Sequence, residues 1–339
     1  MKKVLIITMI LTLLLTGCNV MDEFEKPVDS SDETEYLITV PNGSSTNGIG
    51  KILYDNDLIR NELVFKKMVK DMGYDTKLKA GDYKLSKSFD MKTIIEKIYN
   101  GDVFLETEKF TIVEGLELHE IIDLLIAQNI IDDKDKFIAV LEEEINNYDL
   151  IKNMEYVNFE GFLFPDTYEI KKGATDKEII DKMLSRFIKV FDEGTLTYMN
   201  ENDIDIYEMI ILASIIEREV IVPKEQTIVS SVFHNRLDIS MPLQSCATVE
   251  YIIEERKAIL TNKDIAIDNV YNTYKYQGLP PGPICSPGEG AIKAAIYPDD
   301  TDYLFFVRSY EDDNTHIFTT NLRDHNKAAQ KLYDKNKGE

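Results

Sequence analysis

The sequence predicts an α+β protein in which two related strand/helix modules precede a mixed α/β domain, and three observations lead there. An apolar run from Ile206 to Ile216, ending in Glu217-Arg218-Glu219 and then Pro223, reads as a helix buried nearly all round with acid at its end. Upstream, one order of elements (strand, helix, helix, strand, helix) occurs twice at near-constant spacing. Downstream, the prolines and glycines of Gly278 to Ile284 fix a rigid loop, followed by strand patterns at Tyr303 to Val307 and His316 to Thr319.

The chain opens with Met1-Lys2-Lys3 and an apolar run from Val4 to Leu15, too short for the roughly 20 residues that span a bilayer. Residues 1–17 read as a signal peptide, and Leu15-Thr-Gly-Cys18 looks like a bacterial lipobox, which makes Cys18 the lipidated first residue of the mature chain. Several acyl chains on one residue hold a protein at a membrane, so the expected location is the extracytoplasmic face of the cell membrane. Residues 18–35, poor in apolar and rich in acidic and Ser residues, read as a flexible linker.

The first module covers 36–103, with strands at Leu37 to Val40 and Asp82 to Leu85 and helices through Ile49 and Leu53, from Glu62 to Met72, and from Met91 to Tyr99. The second covers 104–198. Ile121, Leu124, Leu125, Asn129 and Phe137 fall 72 places after Ile49, Ile52, Leu53, Asp57 and Phe65, while Tyr168 and Met183 fall 85 places after Tyr83 and Ile98. The 13 additional residues therefore lie between Phe137 and Tyr168. Residues 199–339 form the third part, with helix patterns from Glu225 to Leu237, Ala291 to Ile296 and Arg323 to Tyr333.

With 339 residues, 44% of them hydrophobic, the chain has enough material for real cores. Thirty-eight basic against sixty-one acidic side chains give a net charge of -23, which argues against nucleic acid as a partner. The four histidines, His119, His234, His316 and His325, show no metal-ligand spacing, and Cys246 and Cys285 make no disulfide framework; no metal and no cofactor is expected. A carboxylate over a dry helical wall has its pKa raised toward the range of a general acid. Both Glu217 and Glu219 fit that description, and periodicity alone does not choose between them.

Seven ordered blocks carry a resemblance. They are Glu160-Gly-Phe-Leu-Phe-Pro-Asp-Thr-Tyr168, Leu212-Ala-Ser-Ile-Ile-Glu-Arg-Glu219, Val232-Phe-His-Asn-Arg-Leu237, Leu243-Gln244, Tyr271-Asn-Thr-Tyr274, Gly278-Leu-Pro-Pro-Gly-Pro-Ile284, and His316-Ile-Phe-Thr319 with His325-Asn326. Together they resemble the YceG-like endolytic murein transglycosylase (MltG) family. The resemblance implies LysM-like modules ahead of the catalytic domain and Glu217 as the catalytic residue. It also implies cleavage of the MurNAc-GlcNAc bond within peptidoglycan glycan strands, giving 1,6-anhydroMurNAc ends, in cell wall assembly.

Substrate-binding candidates are Gln244, Asn272, Tyr274, Glu160 and Asn235, with Arg236 expected to pair within the fold. Expected partners are glycan strands, the membrane through the lipid anchor, and cell-wall synthases. The chain departs from the family in having Cys246-Ala247 after Leu-Gln-Ser, where Asp-Pro is common, and a lipobox where a membrane helix is common. Two rival readings are a non-catalytic peptidoglycan-binding lipoprotein and a hydrolytic muramidase, the latter requiring a second carboxylate.

Overall fold

The computed structural model describes residues 22–152, 159–257, 260–311 and 314–338; the expected signal peptide and Cys18 lie outside them. Among the described residues the fold is mixed α and β, with many helices and three separate two-stranded antiparallel sheets. The chain divides into two compact units, Met1–Glu106 and Thr107–Glu339. Among the described residues no helix is long and apolar enough to cross a membrane.

In the first unit β1 (Glu35–Val40) pairs with β2 (Gly81–Ser86), from Glu35↔Ser86 to Val40↔Gly81. Alternation along β1 turns Ile38 and Val40 inward. They meet the apolar faces of α1 (Thr46–Asp55), α2 (Glu62–Asp71) and α3 (Met91–Asn100), where Leu53, Phe65, Ile94 and Ile98 are fully buried. Ser45, Asn61 and Asp90 start these helices, each accepting a hydrogen bond from a first-turn backbone N–H. The stretch expected as a flexible linker differs from that reading beyond Pro27. Arg60 donates to the carbonyls of Pro27 and Val28, Asp29 N–H donates to Lys87 O, and Ser86 Oγ donates to Asp32 O. These backbone bonds tie down a segment whose composition alone reads as free.

The second unit opens with the same order of elements. β3 (Thr107–Thr111) pairs with β4 (Thr167–Lys171), with α4 (Leu118–Ala127) and α5 (Lys134–Glu144) between them and α6 (Asp176–Ile188) after. Thr46 to Leu118 and Glu62 to Lys134 are both steps of 72, and Met91 to Asp176 is a step of 85. Details repeat as well: Gly43 and Gly115 have φ of 76° and 79°, and Asp57 and Asn129 have φ of 55° and 56°. Tyr83 donates to Lys79 O and Tyr168 to Phe164 O. The inserted residues fall between α5 and β4.

The rest of this unit comprises α7 (Glu193–Glu201), α8 (Ile206–Glu219), α9 (Gln226–Asp238), α10 (Cys246–Ile253), α11 (Glu289–Ile296), the hairpin β5 (Phe305–Arg308) with β6 (His316–Thr319), and α12 (Leu322–Gly338). Every residue of α8 from Met209 to Ile216 is buried, as its unbroken apolar run demands. One apolar core joins Phe110, Ile121 and Met183 to Leu212, Phe233 and Ile292, so no gap in packing marks residue 199.

Candidate active site

Helix α8 carries the two glutamates of its last turn in opposite directions. At 3.6 residues per turn, positions two apart differ by about 200°, so Glu217 and Glu219 leave the helix on different sides and their neighbours decide what each meets. Asp205 starts the helix by accepting the Glu208 N–H at 2.9 Å. The Pro/Gly loop is pinned along its length: Tyr207 donates to Pro281 O at 3.3 Å, Ile284 N–H donates to Ser214 Oγ at 3.0 Å, and the Cys285 thiol donates to Ser214 O at 3.3 Å. Gly161, with φ of 88°, sits so close that an added Cβ would lie 2.9 Å from the Pro283 ring. The Glu-Gly and Gly-Pro-Ile blocks are thus two sides of one packing contact.

Glu219 lies on the wall of a cavity of about 550 Å³. Its neighbours on that wall include Gln244, Cys246, Tyr274, His316 and Arg236, and among the described lining residues it is the one carboxylic acid. Ser245 Oγ donates to its Oε1 at 2.5 Å. Burial pushes the Glu219 carboxyl above the usual range, opposed by the Ser245 hydroxyl, the Ala247 N–H and the nearby His316. The result is an acid with a raised pKa facing open volume.

Glu217, the expected catalytic residue, is not on that wall. It accepts the Gly288 N–H at 3.1 Å, ahead of α11, and its carboxyl is raised first by burial and then by the Glu114 charge. The middle residue of the triplet, Arg218, is buried and paired with Glu117 at 3.1 Å and Glu250 at 3.5 Å. The geometry thus sets the two glutamates apart: the loop bearing Leu243 to Cys246 packs on the Glu219 side, information that no helical wheel contains.

The substrate-binding candidates divide. Gln244 and Tyr274 share the cavity wall with Glu219. Gln244 has φ of 50°, unusual for a side chain with a Cβ, and its exposed amide is available. The Tyr274 hydroxyl lies 3.2 Å from Cys246 Sγ, and burial raises its pKa.

The other three candidates are committed to the framework. Asn272 is fully buried, its amide donating to Ile265 O and Ile267 O while its Oδ1 accepts the Tyr274 N–H, so it shapes the loop and does not reach the cavity. Asn235 donates to Thr301 O at 2.7 Å and Tyr303 O at 3.0 Å. Glu160 is buried at the start of α4, accepting the Leu118 N–H at 2.8 Å, and burial pushes its carboxyl up to about 8. Arg236 does pair within the fold, donating to Leu304 O and Leu243 O while lining the cavity.

Sequence reasoning named no role for Ser245 or His316, although both fall beside or within the quoted blocks. Both remaining cysteines are free, Cys246 exposed and Cys285 buried. Among the described residues no group of His, Cys, Asp or Glu is arranged to hold a metal ion.

A single raised carboxyl in an open cavity rimmed by amide, phenol, imidazole and guanidinium groups is the equipment of an enzyme that works by general acid–base catalysis on a polar substrate. The chain belongs to the YceG-like family, whose model matches residues 38–331. It is 34% identical over 319 residues to the endolytic murein transglycosylase of Bacillus subtilis, covering 90% of this chain and 87% of that one. It is 30% identical over 332 residues to the endolytic murein transglycosylase of Streptococcus pneumoniae, of which it spans 59%. The crystal structure of a yceG-like protein from Listeria monocytogenes matches with a TM-score of 0.57 at 32% identity, covering 87% of this chain and 99% of that one.

Proposed function

We propose that this protein is an endolytic peptidoglycan lytic transglycosylase, and that Glu219 is its catalytic acid and base. Glu219, whose acid form is favoured by burial, gives its proton to the glycosidic oxygen between MurNAc and GlcNAc as the C1–O bond breaks. The C6 hydroxyl oxygen of the same MurNAc closes on C1, and its proton goes to the Glu219 carboxylate, which restores the acid. The products are a 1,6-anhydroMurNAc end and a free GlcNAc 4-hydroxyl, with no water consumed.

The observation that carries this reading is that Glu219 is alone as a carboxylic acid among the described residues of the cavity wall. Hydrolytic glycosidases use two carboxyl groups, one of them to activate water or to act as nucleophile. A substrate that supplies its own nucleophile needs one. Gln244 and Tyr274 hold the acetamido and hydroxyl groups of the sugars in this reading, which their place on the same cavity wall as Glu219 supports.

The wider organisation belongs to the same reading. A signal peptide over 1–17 and lipidation at Cys18 tether the protein to the outer face of the cell membrane, where its glycan substrate is. Two LysM-like modules, 36–103 and 104–198, precede the catalytic part at 199–339; the matching strand-helix-helix-strand-helix order of the two runs supports their common origin. Cell-wall synthases are partners whose nascent strands such an enzyme would cut.

Digestion of purified peptidoglycan, followed by mass analysis of the fragments, tests the reading. Anhydro ends are expected. Reducing ends would instead indicate a muramidase, and an absence of fragments would indicate a binding protein.

A further inference from the structure

The Glu219 cavity carries charge of the opposite sign to the chain that builds it. Acidic side chains outnumber basic ones 61 to 38 over the sequence, yet the described wall sets Arg236, Arg308, His316 and His325 against the one acid. His316 is balanced from behind, its Nδ1 lying 2.8 Å from Glu225 Oε2. The two guanidinium groups have no such balance. Arg186, Arg218, Arg256 and Arg323 each have a carboxylate 2.7 to 3.7 Å away. Among the described residues no carboxylate stands at ion-pair distance from Arg236 or Arg308: the first donates to Leu304 O and Leu243 O, the second to Asn314 Oδ1.

Arg236 is 6% exposed, and a guanidinium so far removed from water is costly to keep without a counter-charge. Its field reaches another group of the wall: burial first, and then the charge of Arg236, hold the His325 imidazole below its usual range. Glu219 also acts on Arg236, but no ion pair joins them, and the acid form that starts the reaction carries no charge. A neutral sugar entering the cavity would displace water and leave both guanidinium groups uncompensated. An anionic group entering with it would compensate them.

We propose that the cavity recognises a carboxylate of the peptide stem that the muramyl sugar carries, and that Arg308 is the residue that holds it. Arg308 ends β5, is exposed, and lines the cavity. Its planar guanidinium suits a carboxylate through two parallel hydrogen bonds. Arg236, with donors already spent on the framework, supplies positive potential from the wall. The muramyl residue is the sugar that bears the peptide, so a carboxylate accompanies the bond to be cut. This rests on the reading of the cavity as the glycan site and names its substrate class: strands with acidic stems, in preference to strands whose stems are neutral.

Titration calorimetry of the purified protein tests it with two probes that contain no bond to cut. One is N-acetylmuramyl-L-alanyl-D-glutamate; the other is the same compound with its carboxyl groups converted to methylamides. The wild type should bind the acid about 10–100-fold more tightly, the worth of a charge-assisted hydrogen bond. In Arg308→Gln that preference should shrink to within about threefold. Equal affinities in the wild type, no binding of the acid, or an undiminished preference in folded Arg308→Gln overturns the proposal. Cleavage reads the same contact: uncross-linked strands with methylamidated stems should be cut with kcat/KM about tenfold lower, mostly through KM, and Arg308→Gln should cut treated and untreated strands alike. A wild type that cuts both equally well also overturns it. No anhydro ends from either strand, with acid-selective binding intact, would instead refute the transglycosylase reading and leave the anion site standing.

Discussion

Replacing Ser245 by Ala isolates the balance that sets the acidity of Glu219. The carboxyl is raised by burial and lowered by the Ser245 hydroxyl, which donates to Oε1 at 2.5 Å. A hydrogen bond to a charged acceptor is worth about 1.5–3 kcal/mol, and each 1.36 kcal/mol corresponds to about one pKa unit. Loss of the hydroxyl therefore raises the Glu219 pKa further, and water entering the open cavity offsets part of that rise.

The sign follows from the role. The reaction needs Glu219 protonated at the start, so kcat/KM falls as pH rises through its pKa, and a higher pKa carries that alkaline limb upward. The fold should tolerate the change, because Ser245 makes no side-chain bond to the helix it precedes. The assay is the rate of anhydro-end release from peptidoglycan across pH 4 to 9 (roughly the span where a raised carboxyl titrates). A limb that stays in place or moves down refutes the account of how this acid is tuned.

Three further outcomes are expected. Gly161→Ala forces a Cβ to 2.9 Å from the Pro283 ring at a φ of 88°, and a loss of about 2–4 kcal/mol in denaturant unfolding is expected from combined backbone strain and overpacking; a loss under about 0.5 kcal/mol would contradict it. Glu160 has a folded pKa of about 8 against 4.5 for the free group, so its contribution to stability is complete below 4.5 and is lost as pH rises through 8. The wild type should therefore weaken between pH 5 and 8 by an amount on the order of a few kcal/mol, and urea midpoints of Glu160→Gln should show a flatter profile. Asn272→Ala leaves two part-buried carbonyls and one N–H without their partner, which should cost about 1–3 kcal/mol of stability; it should leave KM unchanged in whatever fraction folds.

Much of the fold is written in local pattern. The two module runs are legible because amphipathic periods, Gly43 with Gly115, and Asp57 with Asn129 repeat at a fixed offset, and the same positions turn out to be left-handed. Helix α8 is legible because nothing polar interrupts Met209 to Ile216 apart from Ser214. The tether of residues 27–32 is not, since it depends on Arg60 and Ser86 reaching a segment far away in sequence.

The site shows the same division. Glu217 and Glu219 are equivalent from within α8, and only the packing of the Leu243 to Cys246 loop distinguishes them. Asn272 and Asn235 have the chemistry to hold sugar, but backbone carbonyls of the framework claim their amides first. The Glu225–His316 pair joins positions 91 residues apart, and no short motif records it.

The central claim is that Glu219, and not Glu217, exchanges the proton with the glycan. Glu219→Gln and Glu217→Gln, compared side by side on the same peptidoglycan with folding verified by thermal melts, decide it. Removal of a general acid costs about 10²–10⁴-fold, so anhydro ends should vanish to that extent in Glu219→Gln. They should persist within about tenfold in Glu217→Gln, whose loss is that of one hydrogen bond to Gly288. Full activity in Glu219→Gln together with its loss in a folded Glu217→Gln would contradict the account.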